Sequence, residues 1–326
     1  MYDLGIVIPA YNASNHIKRT IGDLLAQTKD VSLKYHIYIY DDASTDNTWE
    51  ILQQYKDNLM VTMHKMDKNI PTGCVRNIGI QHAHLDEYTH VAFLDSDDYY
   101  IMKTVEELWE YICDTSYVIG IGLYDNVDYV TGDRLTEEGL NGSYGIKIEN
   151  DRRPRCTSSL FSCTNAGSCN KIYDLNFIIC NKITFAETYY AEDMAFLYKA
   201  LAVAGEYRIF FYNNIIHRYS HYSTNPYSND RKSIEHPDDL FIALNDVWDY
   251  LYNKDWNPIT KSKFLIMEHL LIAAIGHIRY AVGKIKDKEK ILAIKAEAFD
   301  WIATKKHIVD DLNRRDTLYA GVSKWD

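Results

Sequence analysis

The stretch His90-Val91-Ala92-Phe93-Leu94-Asp95-Ser96-Asp97-Asp98 decides how the chain folds. Residues 90–94, apolar but for the histidine, stop abruptly at three carboxylates in four positions. A run without polar alternation is what a strand buried on both faces requires. Acids at its carboxyl end fall where an open parallel sheet binds ligands. Three ionised carboxylates this close repel one another, and a divalent cation relieves the repulsion. One acid could serve a helix N-terminus, but capping does not account for three. Hard oxygen donors select magnesium or manganese over zinc.

The same pattern recurs on the N-terminal side. Residues 4–9 read as a strand ending in Pro9-Ala10-Tyr11-Asn12, followed by a helix with Ile17, Ile21, Leu24 and Leu25 on one face. Residues 35–40 read as a second strand, ending in Asp41-Asp42-Ala43-Ser44-Thr45-Asp46, and Ile51, Leu52 and Tyr55 mark the helix after it. A third strand at 59–63 leads to a helix at 73–84 that opens near Arg76-Asn77. Beyond the acid cluster, Val105, Leu108, Trp109 and Ile112 form another amphipathic stripe before a strand at 118–123. Strands separated by single helices predict a parallel sheet with right-handed crossovers, which gathers the four strand ends at one edge. Alone, Asp41 and Asp42 read as an acidic turn or as a carboxylate for an imide hydrogen or a ribose hydroxyl. Tyr11 reads as a core aromatic or as a ring on which a base stacks. Arg76 reads as a surface cation or as a counter-charge to the acids.

Past Asn126 the pattern loosens into loops and short strands. A helix at 192–204 and a strand at 207–212 come next, then a polar, aromatic loop at 217–230. From about Pro237, Phe241, Leu244, Val247, Trp248 and Leu251 begin a series of about three helices. The expected organisation is a catalytic domain at 1–235, with a nucleotide-binding half at 1–125 and an acceptor-binding half at 126–235. A C-terminal helical module occupies 236–326.

Composition narrows the function. Of 326 residues, 47% are hydrophobic and 25% charged, so the chain is neither disordered nor fibrous. A net charge of −11 argues against a basic nucleic-acid surface. No stretch approaches the roughly 18 unbroken apolar residues of a membrane span, and no signal peptide is visible ahead of the first strand. Six cysteines without a CxxC pair suit a reducing, cytoplasmic setting. Residues 254–306 hold 11 Lys/Arg against 6 Asp/Glu. They read as a solvated helical face, or as a patch that rests on an anionic substrate or peripherally on a membrane. The C-terminal helices are also a candidate surface for a homo-oligomer.

Four segments together carry a resemblance: Ile6-Val7-Ile8-Pro9-Ala10-Tyr11-Asn12, Tyr40-Asp41-Asp42 through Thr48, Val75-Arg76-Asn77-Ile78-Gly79, and Phe93-Leu94-Asp95-Ser96-Asp97-Asp98. In this order and spacing the chain resembles the family 2 glycosyltransferases, closely over about residues 4–100 and more thinly to about 225. The resemblance implies an α/β GT-A fold, a Rossmann-like, mostly parallel sheet flanked by helices. It implies an inverting, metal-dependent enzyme with a UDP-sugar donor and a glycan or glycoconjugate acceptor. Pro9, Ala10, Tyr11 and Asp42 would line the uracil pocket, with Arg76 near the base and diphosphate. Asp95-Ser96-Asp97 would be the DxD element, with Asp95 on the ribose or a metal-bound water, Ser96 toward the nucleotide, and Asp97 on Mn2+ or Mg2+ between the phosphates. Glu192-Asp193 resembles the family's acidic pair, with Asp193 as general base and Glu192 orienting it or touching the acceptor. The loop from His217 through Arg218 to Ser223 and Asn225 resembles a basic, Ser-containing loop that closes over the diphosphate. There His217 would reach the metal, and Arg218 and Ser223 the phosphates. Asn170-Lys171 matches a position before the acceptor region. Two departures stand out. Asn69-Ile70-Pro71 replaces the frequent Asn-x-Gly, so that loop should sit differently. Ala43 replaces a frequent Gly, which argues against a left-handed backbone there.

Two rival readings remain at this level. A sugar nucleotidyltransferase would want a Gly-rich basic loop after the first strand, where this chain has Asn12-Ala13-Ser14-Asn15-His16. A catalytically silent nucleotide- or sugar-binding module would have no use for a base at Asp193.

Overall fold

The computed structural model describes residues 3–135, 161, 164–222, 232, 234–254 and 263–322. The first half alternates as its apolar periods dictate: β1 (Leu4–Ala10), α1 (Ile17–Ala26), β2 (Tyr35–Asp41), α2 (Thr48–Leu52), β3 (Val61–Lys65), α3 (Thr72–Leu85) and β4 (His90–Phe93). Then come β5 (Tyr99–Tyr100), α4 (Met102–Ile112), β6 (Ile119–Asp128), β7 (Lys171–Asp174), α5 (Leu175–Cys180), α6 (Glu192–Ala204) and β8 (Ile209–His221). Three helices finish the described chain: α7 (Asp239–Asn253), α8 (Lys263–Lys284) and α9 (Lys288–Val322).

The sheet has eight strands in the order β3-β2-β1-β4-β7-β6-β8-β5. β1 pairs in parallel with both β2 and β4, so the strand order reverses direction beside β1, where an open sheet leaves a crevice. The sheet is mostly parallel, as expected, but it is mixed. β7 enters antiparallel between β4 and β6, and β5 pairs antiparallel with β8.

All seven residues of β2 are buried, three tyrosines among them. The pleat sends Tyr35, Ile37 and Ile39 to the layer of α1 and α4, and Tyr38 and Tyr40 to the layer of α3 and α6. Tyrosine fills this core because each hydroxyl finds a partner. Tyr35 donates to Leu24 O at 2.6 Å, Tyr40 pairs with His82 Nδ1 at 2.9 Å, and Tyr38 donates to Asp86.

The C-terminal helices extend the α6 layer. Leu240, Leu244, Val247 and Trp248 of α7 are buried in the same cluster as Phe196, Leu197 and Ala200 of α6. Lys199 of α6, itself buried, reaches Asp246 at 2.5 Å. Trp301 of α9 meets Trp248 edge to face. Within α8, Leu265–Lys284 is long and apolar enough to cross a bilayer by length and composition, with a mean hydropathy of 1.4. Here one face of it, including Met267, Leu270, Ala274 and Ile278, is buried against the rest of the protein.

Candidate active site

The carboxyl ends of β1, β2 and β4 open into one cleft of about 640 Å³, with α3 at its side. Pro9, Ala10, Tyr11, Asp42, Arg76, Asp95, Ser96 and Asp97 all line it, and so do Glu192 and Asp193 from the start of α6. The four separated segments thus meet at one place.

The β1 and β2 ends are laced together. Asn12 N donates to Ser44 Oγ at 2.9 Å, and Thr45 N donates to Asn12 Oδ1 at 2.8 Å. The loop before α3 folds over Asp42: Asn69 Nδ2 donates to one carboxylate oxygen at 2.7 Å and Ile70 N to the other at 3.0 Å. Burial raises the Asp42 carboxyl to about 6, with Ile70 N opposing and the Asp41 charge adding to it. The expectation for Ala43 is corrected: its φ is +57°. The backbone turns sharply there, with Ala43 N bonded to Asp41 O at 2.9 Å, and the alanine accepts a strain of about 1–2 kcal/mol. Asn12 (φ +50°) and Ala191 (φ +65°), at the edges of the cleft, are left-handed as well, as are Glu87, Asp114 and Lys182 elsewhere.

Arg76 is the hub. Gly73 lets the first turn of α3 approach the 185–192 segment: a Cβ there would stand 2.1 Å from Ala186 O. Arg76, buried, then sends Nη1 to Glu192 Oε1 at 3.0 Å and to Asp193 Oδ1 at 2.7 Å, and Nη2 to Asp95 Oδ1 at 2.7 Å. Its place is therefore among three carboxylates, which it positions. The Asp193 side chain is 24% exposed and that of Glu192 8%, so the aspartate is the more open of the pair.

One guanidinium does not neutralise this many acids. Burial and the Asp193 charge push Glu192 up to about 7, against the pull of Lys232 and Arg76. Burial, then Asp98 and Asp95, push Asp97 up to about 8. Desolvation pulls Asp95 up as well, but Arg76 brings its carboxyl below the ordinary value. Asp97 accepts from Tyr222 OH at 3.0 Å. Asp98 is fully buried, bonded to His217 Nε2 at 2.8 Å and to Ser220 N at 2.8 Å.

Several expectations for the C-terminal side change. His217 through His221 is the end of strand β8, and the chain leaves the sheet only after His221. The segment is polar, yet β6 and β5 pair with its two edges, and that ladder overrides the loop reading. His217 is tied to Asp98, and burial drops its pKa to about 4, so the ring is neutral. Its nearest companions are Asp98 and Cys169, whose ligand atoms all lie within 4.8 Å of one another. Arg218 lines neither cavity; its guanidinium lies 5.8 Å from the Tyr99 ring centroid. Lys171 is buried away from the cleft, its ammonium donating to Asn165 O, Gly167 O and Asn170 Oδ1 at 2.6–2.9 Å. Burial lowers it to about 7, and its work is to hold the 165–170 segment. Ser223 lies outside the described residues. Sequence reasoning missed Lys232 and Tyr222, both in the cleft wall. Tyr222 lay within the basic segment already singled out; Lys232 belongs to no motif.

A Rossmann-like sheet with acids and an arginine at its switch point, followed by an acidic pair heading a helix, defines a GT-A glycosyltransferase. The family model for glycosyl transferase family 2 matches residues 5–175, more than half of the chain. The chain belongs to that family. It is 26% identical over 276 residues to the poly(ribitol-phosphate) β-N-acetylglucosaminyltransferase TarP of Staphylococcus aureus, covering 81% of this chain and 75% of TarP. It is 27% identical over 150 residues to the minor teichoic acid biosynthesis protein GgaA of Bacillus subtilis, 45% of this chain but only 33% of GgaA. Among solved structures, S. aureus TarS 1–349 superposes with a TM-score of 0.68 at 20% identity, covering 95% of this chain and 83% of TarS 1–349. Its complex with UDP-GlcNAc gives 0.62 at 18% identity, covering 96% and 92%.

Proposed function

We propose that this glycosyltransferase moves a sugar, with inversion, from a UDP-sugar to a hydroxyl of a cell-wall polymer, with Asp193 as the base. One observation carries the reading. Asp193 and Glu192 stand where the nucleotide-side cleft meets a second cavity, so one carboxylate can face donor and acceptor at once. The polymer class is supported by the names of TarP and GgaA, and the uridine donor by the TarS complex.

In this reading Tyr11 stacks on the base, and Asp42, fixed by Asn69 and Ile70, faces its imide edge. Arg76 holds Asp193 so that its carboxylate takes the proton from the attacking hydroxyl. Glu192, near half-protonation at neutral pH, limits the charge around that base. The donor set suits a hard divalent cation: the raised Asp97 carboxyl, crowded by Asp95 and Asp98, gains most from one. Asp97 would hold Mn2+ or Mg2+; His217 would join only by exchanging its bond to Asp98. The cation would supply charge for the diphosphate leaving group.

Thermal unfolding with UDP, other nucleoside diphosphates and a set of UDP-sugars, with manganese or EDTA, tests the donor. A ligand at about 100 times its Kd adds about 2.7 kcal/mol. The α-linked UDP-sugar that stabilises most should yield a β-linked product by proton NMR. An α-linked product, or no uridine-dependent shift, would overturn the reading.

A further inference from the structure

The second cavity, about 840 Å³, joins the nucleotide cleft through Asp95, Glu192, Asp193 and Tyr219. Its near wall comes from β6, β8 and the 164–170 segment. Its far wall is one face of α8, carrying His269, Ile272, Gly276, Tyr280 and Lys284 at helical spacing. The opposite face of α8 is spent in the core. A volume of this size holds several linked units, far more than one acceptor hydroxyl needs.

Three features say what those units are. Gly276 lies in the unbroken middle of α8 although a Cβ there would meet nothing within 4 Å, and its φ is not left-handed. Neither close packing nor backbone geometry asks for glycine, and the space above it belongs to the cavity. Second, among the described lining residues the carboxylates are confined to the junction with the first cleft; outward from it the basic groups are histidines and Lys284. Third, Lys284 ends α8, Lys286 follows in the short connection, and Lys288 and Lys290 open α9. Of the acids there, Asp287 is occupied at the start of α9, accepting from Glu289 N at 2.9 Å and Lys290 N at 3.3 Å. Lys284 thus sets one member of the basic excess of residues 254–306 in the wall of this groove, with three more lysines following it in the chain, on a protein whose net charge is −11.

We infer that α8 is the acceptor wall, and that it holds an extended polyol chain linked by phosphodiesters. The reacting hydroxyl sits at Asp193, and the anionic backbone runs across Gly276 toward Lys284 and the lysines that follow it. This rests on the transferase reading above. Aromatic rings along the groove stack on the polyol carbons, and the lysines attract the backbone through a salt-screened field.

The test uses the whole protein with its most stabilising UDP-sugar. The acceptors are short synthetic oligomers of ribitol phosphate and of glycerol phosphate, with a neutral β-glucan oligomer as control. Gly276→Trp, which fills the groove and removes a helix-weakening glycine, should lower kcat/KM for the polyol-phosphate acceptor by about tenfold or more, or about 1.4 kcal/mol. UDP affinity and acceptor-free donor hydrolysis should stay at wild-type values. Lys284→Glu should lower kcat/KM several-fold, with the loss shrinking as salt rises. Transfer only to the neutral oligomer, or to neither while donor hydrolysis persists, overturns this inference and leaves the Asp193 reading standing. Wild-type transfer by Gly276→Trp overturns the α8 wall. Flotation with phosphatidylglycerol vesicles that Lys284→Glu abolishes, without loss of transfer, would make these lysines a membrane contact instead. Loss of uridine binding and hydrolysis in the wild type would sink the transferase reading itself.

Discussion

Replacing Arg76 with methionine removes the guanidinium that bridges Asp95, Glu192 and Asp193 while keeping most of its volume. Breaking a buried ion pair by deleting one partner costs about 3–5 kcal/mol. The contacts at 2.7, 2.7 and 3.0 Å and the burial of Arg76 place this site in that class. The loss depends on pH with a definite sign. Glu192 titrates near 7 in the folded protein, above its ordinary 4.5, so the folded state binds that proton more tightly than the unfolded one. Stability from this group therefore falls as pH rises from about 4.5 to about 7. Without Arg76 Glu192 rises further and Asp95 loses what lowers it, so the variant is weakest in alkali and recovers on acidification. Urea unfolding should show a deficit of about 3–5 kcal/mol at pH 8 and a clearly smaller one near pH 5.5. Adding Glu192→Gln to the variant should return part of the loss at pH 8. A deficit below about 1 kcal/mol, or one equal at both pH values, would refute the argument that Arg76 neutralises a buried carboxylate cage.

The same geometry sets other outcomes. Ala191→Gly, at φ +65°, should gain up to about 1 kcal/mol in urea unfolding; a loss would deny strain at the head of α6. Asp97 titrates near 8 against an ordinary 3.8, so the metal-free protein loses stability from it as pH rises through that window. A cation displaces the proton, and the manganese-induced rise in Tm should grow from about pH 6 to about pH 8; a constant or shrinking rise would remove Asp97 as ligand. Lys171→Met should raise the acceptor KM through the 165–170 segment and leave UDP affinity unchanged; weakened UDP binding would return Lys171 to the phosphates.

The strand ends were legible because an apolar run that stops at acids can only be a buried strand meeting a polar edge. Asp42, Arg76, Asp95, Asp97 and Asp193 were found that way or by resemblance, and they converge in one cleft. The helix α7 was legible from Phe241, Leu244, Val247 and Trp248, whose helical spacing places them all on its buried face. β7 was not, because Lys171-Ile172-Tyr173-Asp174 is four residues long and has no period of its own; its neighbours β4 and β6 make it a strand. The extension of β8 to His221 was hidden for the same reason. Ala43 misled because steric preference is a local argument, and the bonds among Ala10, Asp41 and Asp42 outweigh it. The charge network around Arg76 joins residues 116 and 117 positions apart, and no short window contains it.

Asp193→Asn is the most direct test of the central claim. It keeps the size of the side chain and an oxygen for Arg76, and it removes the proton acceptor. Sugar transfer should fall by about 10²–10⁴-fold while calorimetry shows UDP affinity little changed. Transfer near the wild-type rate would contradict the account, and so would loss of turnover that merely tracks loss of UDP binding.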